Sequence, residues 1–180
     1  MEVTRFDIEG LLLIKPNVFL DERGYFYESF SDASFSKEGL THKFVQDNQS
    51  CSKKGVLRGL HFQNPPFDQG KLVRVVKGSV LDIAVDIRKN SPSYGKYVAA
   101  LLTEENKCLL WIPPGFAHGF LSLEDDTIFI YKCTNGYNKA SEGGILWNDP
   151  DLNIDWGILN PIVSGKDMEL TPFRDFNSQF

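Results

Sequence analysis

Short strand-like apolar runs recur along this chain, separated by turn residues. Over residues 80–87, Leu81, Ile83, Val85 and Ile87 are separated by Asp82, Ala84 and Asp86, the pattern of a half-buried strand. Residues 71–77 read as a preceding strand, with Lys77-Gly78-Ser79 as the turn between the two. Residues 127–134 place Thr127, Phe129, Tyr131 and Cys133 on one face of another strand. Further short strands are expected at 11–16, 24–30, 56–63, 97–103 and 108–112. Helical signals are few. Ser31 or Asp32 as N-cap and Gly39 as stop predict a helix near 32–38. A second short helix is expected in the last fifteen residues. Many short strands with few helices indicate an all-β sandwich or barrel, and within that class a jelly roll has an interior wide enough for a ligand. No linker, repeat or low-complexity tract interrupts the pattern, so residues 1–180 are expected to form a single domain.

Composition narrows the function classes. Hydrophobic residues make up 42% and charged residues 24%, ordinary proportions for a globular protein. Aromatics reach 13%, with 14 Phe, which suits a β-rich core or an aromatic-lined pocket. A net charge of -5 argues against sequence-independent nucleic-acid binding and leaves room for a local basic pocket. Cys51, Cys108 and Cys133 form neither a disulfide framework nor a Cys-x-x-Cys signature. They read as free buried thiols of a protein in the reducing cytoplasm. Residues 1–10 carry Glu2, Asp7 and Glu9 and no apolar run, unlike a signal peptide. No stretch approaches the ~20 apolar residues of a membrane span.

Candidate chemistry centres on two of the three histidines. His42 lies in a polar stretch and reads as surface. His61 lies inside an apparent strand, and His118 follows Pro113-Pro114-Gly115-Phe116-Ala117. A lone histidine in such a setting is more often a structural hydrogen-bonding group, but the neighbours of His61 alter the balance. Arg58, His61, Gln63 and Lys71 fall within fourteen residues, across two strands able to pair. Such a cluster is either a solvated face or, if it faces a barrel interior, a site for an anion such as a diphosphate. Strict alternation puts Arg58 and His61 on opposite faces, so a bulge at Gly59 is needed for both to point inward.

Pro113-x-Gly115-x-x-His118 resembles the second motif of the cupin superfamily, jelly rolls that often bind metal. The first cupin motif supplies a His-x-His pair followed by Glu, whereas this chain has His61 and Gln63. Two histidines without a nearby carboxylate make a poor metal site, and no metal is expected. No Gly-x-Ser-x-Gly elbow, activated cysteine, phosphate loop or dinucleotide fingerprint is present, and no cofactor is expected. The acidic run 149–153 lacks the spacing of a calcium loop and reads as a turn. Acid–base chemistry remains. A histidine can take a proton from a weak carbon acid, with a carboxylate behind it to fix its tautomer. A lysine can stabilise the developing enolate, and a tyrosine on the opposite wall can return a proton to the other face.

Longer segments are familiar. They include Phe19-Leu20-Asp21-Glu22-Arg23-Gly24, Phe26-Tyr27-Glu28-Ser29-Phe30 and Phe44-Val45-Gln46-Asp47-Asn48. Val56-Leu57-Arg58-Gly59-Leu60-His61-Phe62-Gln63 and Gly70-Lys71-Leu72-Val73-Arg74 follow. The stretch 82–88 comes next, then 111–113 through Gly119-Phe120, Tyr131-Lys132, 144–149 and Ser164-Gly165-Lys166-Asp167. In this order and spacing the chain resembles the dTDP-4-dehydrorhamnose 3,5-epimerase family over nearly its whole length. The resemblance implies a cupin-like jelly-roll homodimer with one site in each barrel. It implies His61 as base, Asp167 as its partner and Tyr131 as acid, with Lys71 and Arg58 holding the sugar and supporting the enolate. Gln46, Asp47, Asn48, His118, Glu142 and Lys166 match further substrate contacts. Arg23, Phe26 and Glu28 match the nucleotide-binding region, to which the neighbouring subunit contributes, and Tyr137 matches an aromatic beside the nucleotide. Gly136 stands where family members often carry a bulkier residue, which predicts a more flexible loop. The implied substrate is a dTDP-sugar, dTDP-4-dehydro-6-deoxy-D-glucose. A relative acting on carbon 3 alone would use nearly the same residues. A metal-dependent cupin oxygenase and a non-catalytic sugar-nucleotide binding module are the readings from other classes.

Overall fold

A computed structural model describes residues 1–180. The elements, in chain order, are β1 (Glu2–Arg5), β2 (Leu12–Lys15), β3 (Phe19–Asp21), β4 (Gly24–Phe26), α1 (Asp32–Ser36), β5 (Gln46–Ser52), β6 (Val56–Gln63), β7 (Lys71–Lys77), β8 (Ser79–Asp86), β9 (Tyr97–Thr103), β10 (Leu109–Ile112), β11 (Phe116–Ser122), β12 (Thr127–Cys133), β13 (Glu142–Gly144), β14 (Ile162–Val163) and α2 (Gly165–Met168). One sheet runs β1-β2-β10-β7-β12-β5 and the other β13-β6-β11-β8-β9. They face each other as a jelly roll, and β3–β4 forms a separate hairpin.

Three apolar layers explain the strand patterns. Between the sheets, Val73, Val75, Leu110 and Phe129 from the first meet Val80, Ala84, Leu102 and Phe120 from the second. Behind the second sheet, Leu57, Leu60, Ile83, Val85 and Leu121 pack on Ile145, Leu152 and Trp156 of the C-terminal segment. Behind the first sheet, Leu12, Ile14, Leu72, Leu109 and Trp111 pack on Phe35 of α1 and on Leu40. Strand β8 is therefore covered on both faces rather than half-buried. Its Ile83 and Val85 point to the outer layer, while Asp82 lies fully buried on the barrel side.

Three further expectations change. Strands β6 and β7 do not pair. The connection 64–70 carries Pro65-Pro66, and the chain crosses there from the second sheet to the first. Arg58 and His61 thus face Lys71 across the barrel. The turn at Gly78 (φ +79°) likewise joins β7 to β8 across two sheets, where a Cβ would press on Thr127. Strand β4 ends at Phe26, short of the expected residue 30. Helix α1 is capped by Ser31, whose Oγ accepts the Ser34 N–H, and Gly39 (φ +88°) follows its end. Cys108 and Cys133 are buried, but Cys51 is exposed, because it sits on the outward face of edge strand β5. Asp149 builds the expected turn, accepting the N–H groups of Asp151 and Leu152. No helix is long and apolar enough to cross a membrane.

Candidate active site

The site begins with the bulge on β6. His118 lies opposite His61 and Phe120 opposite Arg58, so β6 uses one residue more than β11 over this stretch. Gly59 makes that possible. Its φ of +131° is unfavourable for a side-chain-bearing residue, and a Cβ there would lie 2.6 Å from Gly119 Cα. The extra residue turns both Arg58 and His61 into one cavity.

The same bulge helps hold a carboxylate. Strand β14 adds in parallel to the first residues of β6 and leads into α2. Ser164 caps α2, its Oγ accepting the Asp167 N–H at 3.1 Å. Asp167 then accepts from His61 Nε2 through Oδ1 at 2.8 Å and from the Gly59 N–H through Oδ2 at 3.2 Å. Burial pushes the Asp167 carboxyl up. The bond and charge of His61, with the Gly59 and Ser164 bonds, outweigh this and hold it below the usual carboxylate range. Asp167 is therefore an anion at neutral pH, and with Nε2–H committed to it the basic nitrogen of His61 is Nδ1.

The facing wall belongs to the first sheet. Tyr131, on the inward face of β12, is partly buried, and burial pushes its phenol up, so it carries its proton at neutral pH. Lys71, first residue of β7, is buried with Nζ 3.5 Å from the His61 carbonyl. Burial pushes its ammonium down, opposed by Cys133, Asp82 and Glu142. Behind His61, His118 Nε2 sits 3.0 Å from both oxygens of Asp82, and burial pushes its imidazole down. Arg58, His61, Lys71, His118, Tyr131 and Asp167 line one cavity of about 630 Å³. A second lobe of about 360 Å³ shares Asn48, His61, Lys71 and Tyr131 and adds Gln46, Tyr137 and Glu142.

A hydrogen-bonded chain edges the second lobe. Gln46 Oε1 accepts the Tyr137 N–H, the Tyr137 hydroxyl donates to Glu142, and Glu142 pairs with Lys166 at 2.7 Å. The loop before Tyr137 is fastened on both sides of Gly136. The Asn135 carbonyl accepts from Gln69 and the Gly136 carbonyl from Gln63.

Four residues matched from the sequence do not join this cluster within one chain. Asp47 lies on the outer face of β5, where alternation sends it away from Gln46 and Asn48, and it pairs with Lys132 at 2.9 Å. Arg23 is 84% exposed in its side chain and pairs with Asp21 on the β3–β4 hairpin. Phe26 and Glu28 line a separate depression with Met1 and Pro16. Conversely, Asp82 and Ser164 were inside matched segments but carried no assigned role. The signal for Asp82 was a carboxylate in the middle of an apolar strand. The signal for Ser164 was a capping residue three positions before Asp167. No group of three or more His, Cys, Asp or Glu side chains converges as metal ligands, and each inward histidine is engaged by its own aspartate.

Comparison with known proteins places the whole chain in a family. Residues 5–175 match the family model described as dTDP-4-dehydrorhamnose 3,5-epimerase. The dTDP-4-dehydrorhamnose 3,5-epimerase of Shigella flexneri is 53% identical over 176 residues, covering 97% of each chain. The crystal structure of a dTDP-6-deoxy-D-glucose-3,5-epimerase from Legionella pneumophila, in complex with dTDP-4-keto-L-rhamnose, matches with TM-score 0.93 and 46% identity. That match covers 98% of this chain and 94% of that one. A 3'-monoepimerase from Streptomyces bikiniensis, in complex with dTDP-quinovose, matches with TM-score 0.87 and 33% identity over 93% and 85% of the two chains. The chain belongs to the dTDP-4-dehydrorhamnose 3,5-epimerase family.

Proposed function

We propose that this chain inverts carbons 3 and 5 of dTDP-4-dehydro-6-deoxy-D-glucose, giving dTDP-4-dehydro-L-rhamnose. The observation that carries the reading is the His61–Asp167 pair on one wall of a cavity whose other wall presents Tyr131 and Lys71. Both carbons flank the ketone at carbon 4, so loss of either proton gives an enolate. His61 Nδ1 takes the proton, and Asp167 stabilises the imidazolium. The Lys71 ammonium stabilises the enolate oxygen. The Tyr131 phenol gives its proton to the opposite face of the same carbon. His61 then releases a proton to water and Tyr131 regains one, which resets both groups. The oxidation state of the sugar is unchanged, so the chemistry calls for no redox cofactor. Arg58 faces the diphosphate end, and Gln46, Asn48, His118, Glu142 and Lys166 contact the substrate.

The nucleotide end is completed by a second copy of this chain, which supplies Arg23 and Phe26 from its hairpin and Glu28 from just beyond it. In support, that hairpin exposes Phe19 at 64% and Leu20 at 79%, an apolar surface of the kind that marks an interface. Tyr137 stacks beside the base. The homodimer works in the cytoplasm, within dTDP-L-rhamnose and lipopolysaccharide biosynthesis.

Isotope uptake tests the reading. The protein, dTDP-4-dehydro-6-deoxyglucose and deuterated water are combined, and carbons 3 and 5 are followed by NMR. Deuterium at both, with an inverted product, is expected. Uptake at carbon 3 alone would give the activity of the monoepimerase relative instead; the higher identity to the 3,5-epimerases, 53% and 46% against 33%, favours the double inversion. Binding without uptake would overturn the epimerase reading.

A further inference from the structure

Asp82 is the least expected side chain in the barrel. It is fully buried on β8, which lies between β11 and β9, and the residues on either side of it, Leu81 and Ile83, are apolar. An uncompensated buried carboxylate costs several kcal/mol, and the side-chain partner it has is His118. The register explains how they meet. On β11, Phe120 lies opposite Asp82 and His118 opposite Ala84, so His118 reaches its carboxylate diagonally along the same face. On its other side His118 lies directly opposite His61. Strands β6, β11 and β8 thus carry His61, His118 and Asp82 in a row. Lys71 faces that row from the opposite sheet, and the Phe129 ring stacks on His118.

We propose that Asp82 is a positioning residue. It holds His118 as the Nε2–H tautomer, so that the bare Nδ1 faces the sugar as a hydrogen-bond acceptor. Both carboxylate oxygens stand at Nε2, and no group of the chain hydrogen-bonds Nδ1. The ring itself lines the cavity. Burial favours the uncharged ring. The division of labour follows: Lys71 supplies the positive charge at the ketone, and His118 orients a neighbouring sugar hydroxyl.

This rests on the epimerase reading, and its test separates the two. In the wild-type protein at neutral pH, nitrogen NMR of the imidazoles is expected to show His118 protonated at Nε2 and bare at Nδ1. The opposite tautomer would overturn the proposal without any variant having to fold. Asp82→Asn is expected to lower kcat/KM for deuterium uptake roughly tenfold or more at both carbons. A smaller loss overturns it. In a His118→Asn background the same change is expected to add less than about twofold, because Asp82 acts through His118. A larger further loss would assign Asp82 a separate structural role and sink the proposal. Failure of the epimerase reading looks different: the wild-type protein itself takes up no deuterium.

Discussion

The two histidine–aspartate pairs of the barrel are built from the same residue types and set to opposite conditions. His61 is 33% exposed in its side chain, and its aspartate arrives on the C-terminal strap of β14 and α2. His118 is 8% exposed, and its aspartate comes from the adjoining strand of the same sheet. A base that must trade protons with water after each turnover needs the first setting. A ring whose orientation and tautomer must not change needs the second. The difference lies in access and in how each carboxylate is delivered, and the strap delivers Asp167 to a ring that remains reachable from the cavity.

The largest expected effect comes from removing the open pair's ring. If His61 is the proposed base for both carbons, His61→Ala is expected to lower deuterium uptake at carbons 3 and 5 together by about 10²–10⁴-fold. Activity within roughly tenfold of wild type would remove His61 from that role. Loss at one carbon only would show that each inversion has its own base.

Tyr131→Phe probes the facing wall. The hydroxyl is expected to return the proton rather than take it, so exchange should persist at the face served by His61 while inverted product is lost. NMR of the recovered sugar separates exchange from inversion. Normal inversion by the variant would mean that another acid serves that face.

Gly59→Ala attacks the bulge on which the open pair depends. At φ +131°, with a Cβ 2.6 Å from Gly119 Cα, the change is expected to cost at least about 2 kcal/mol of stability. Uptake at both carbons should fall in the protein that still folds, because the N–H that Gly59 gives to Asp167 moves with the backbone. Denaturant titration and uptake kinetics report the two effects. An unchanged midpoint would show that β6 can adopt a regular register here.

That bulge also marks how far the sequence could be read. The period-two run located β8, and β6, β9 and β12 were legible as short apolar-rich runs bounded by turn residues. Such runs missed β5, whose Gln46-Asp47-Asn48-Gln49-Ser50 is polar on both faces, since its inward side lines a cavity rather than a core. Alternation alone demands an irregularity at Gly59 if Arg58 and His61 are to share a face. Sheet partnership was less legible. Lys71 seemed a neighbour of His61 in a paired ladder, but the Pro65-Pro66 connection crosses the barrel, and local pattern carries no information on that. The catalytic cluster was named through resemblance of whole segments. Asp82, read at first as the polar side of a half-buried strand, acquired its meaning only when the layer behind the second sheet showed that both faces of β8 are covered.

A third aspartate sharpens the contrast at the smallest scale. Asp86 lies four residues after Asp82 on β8 and is equally buried, yet it is saturated by partners outside the cavity. Arg88 donates through Nε and Nη2 at 2.9 and 2.7 Å, and the Ser91 and Ser93 hydroxyls each donate at 2.6 Å. Burial pushes its carboxyl up, but these bonds outweigh it and hold the pKa at about 2, below the ordinary 3.8. A carboxyl whose folded value is depressed contributes stability above its unfolded value and loses it as pH falls through the folded one. Asp86→Asn is therefore expected to cost on the order of 2 kcal/mol at pH 7, with uptake kinetics of the folded enzyme little changed. The gap in unfolding free energy between the two proteins should stay level down to about pH 5 and close between about pH 4 and pH 2. A gap that persists at pH 2 would assign the loss to packing around Arg88 rather than to the charge. A fall in uptake as large as that expected for Asp82→Asn would mean that burial of an aspartate on β8, and not its partner, is what the reaction requires.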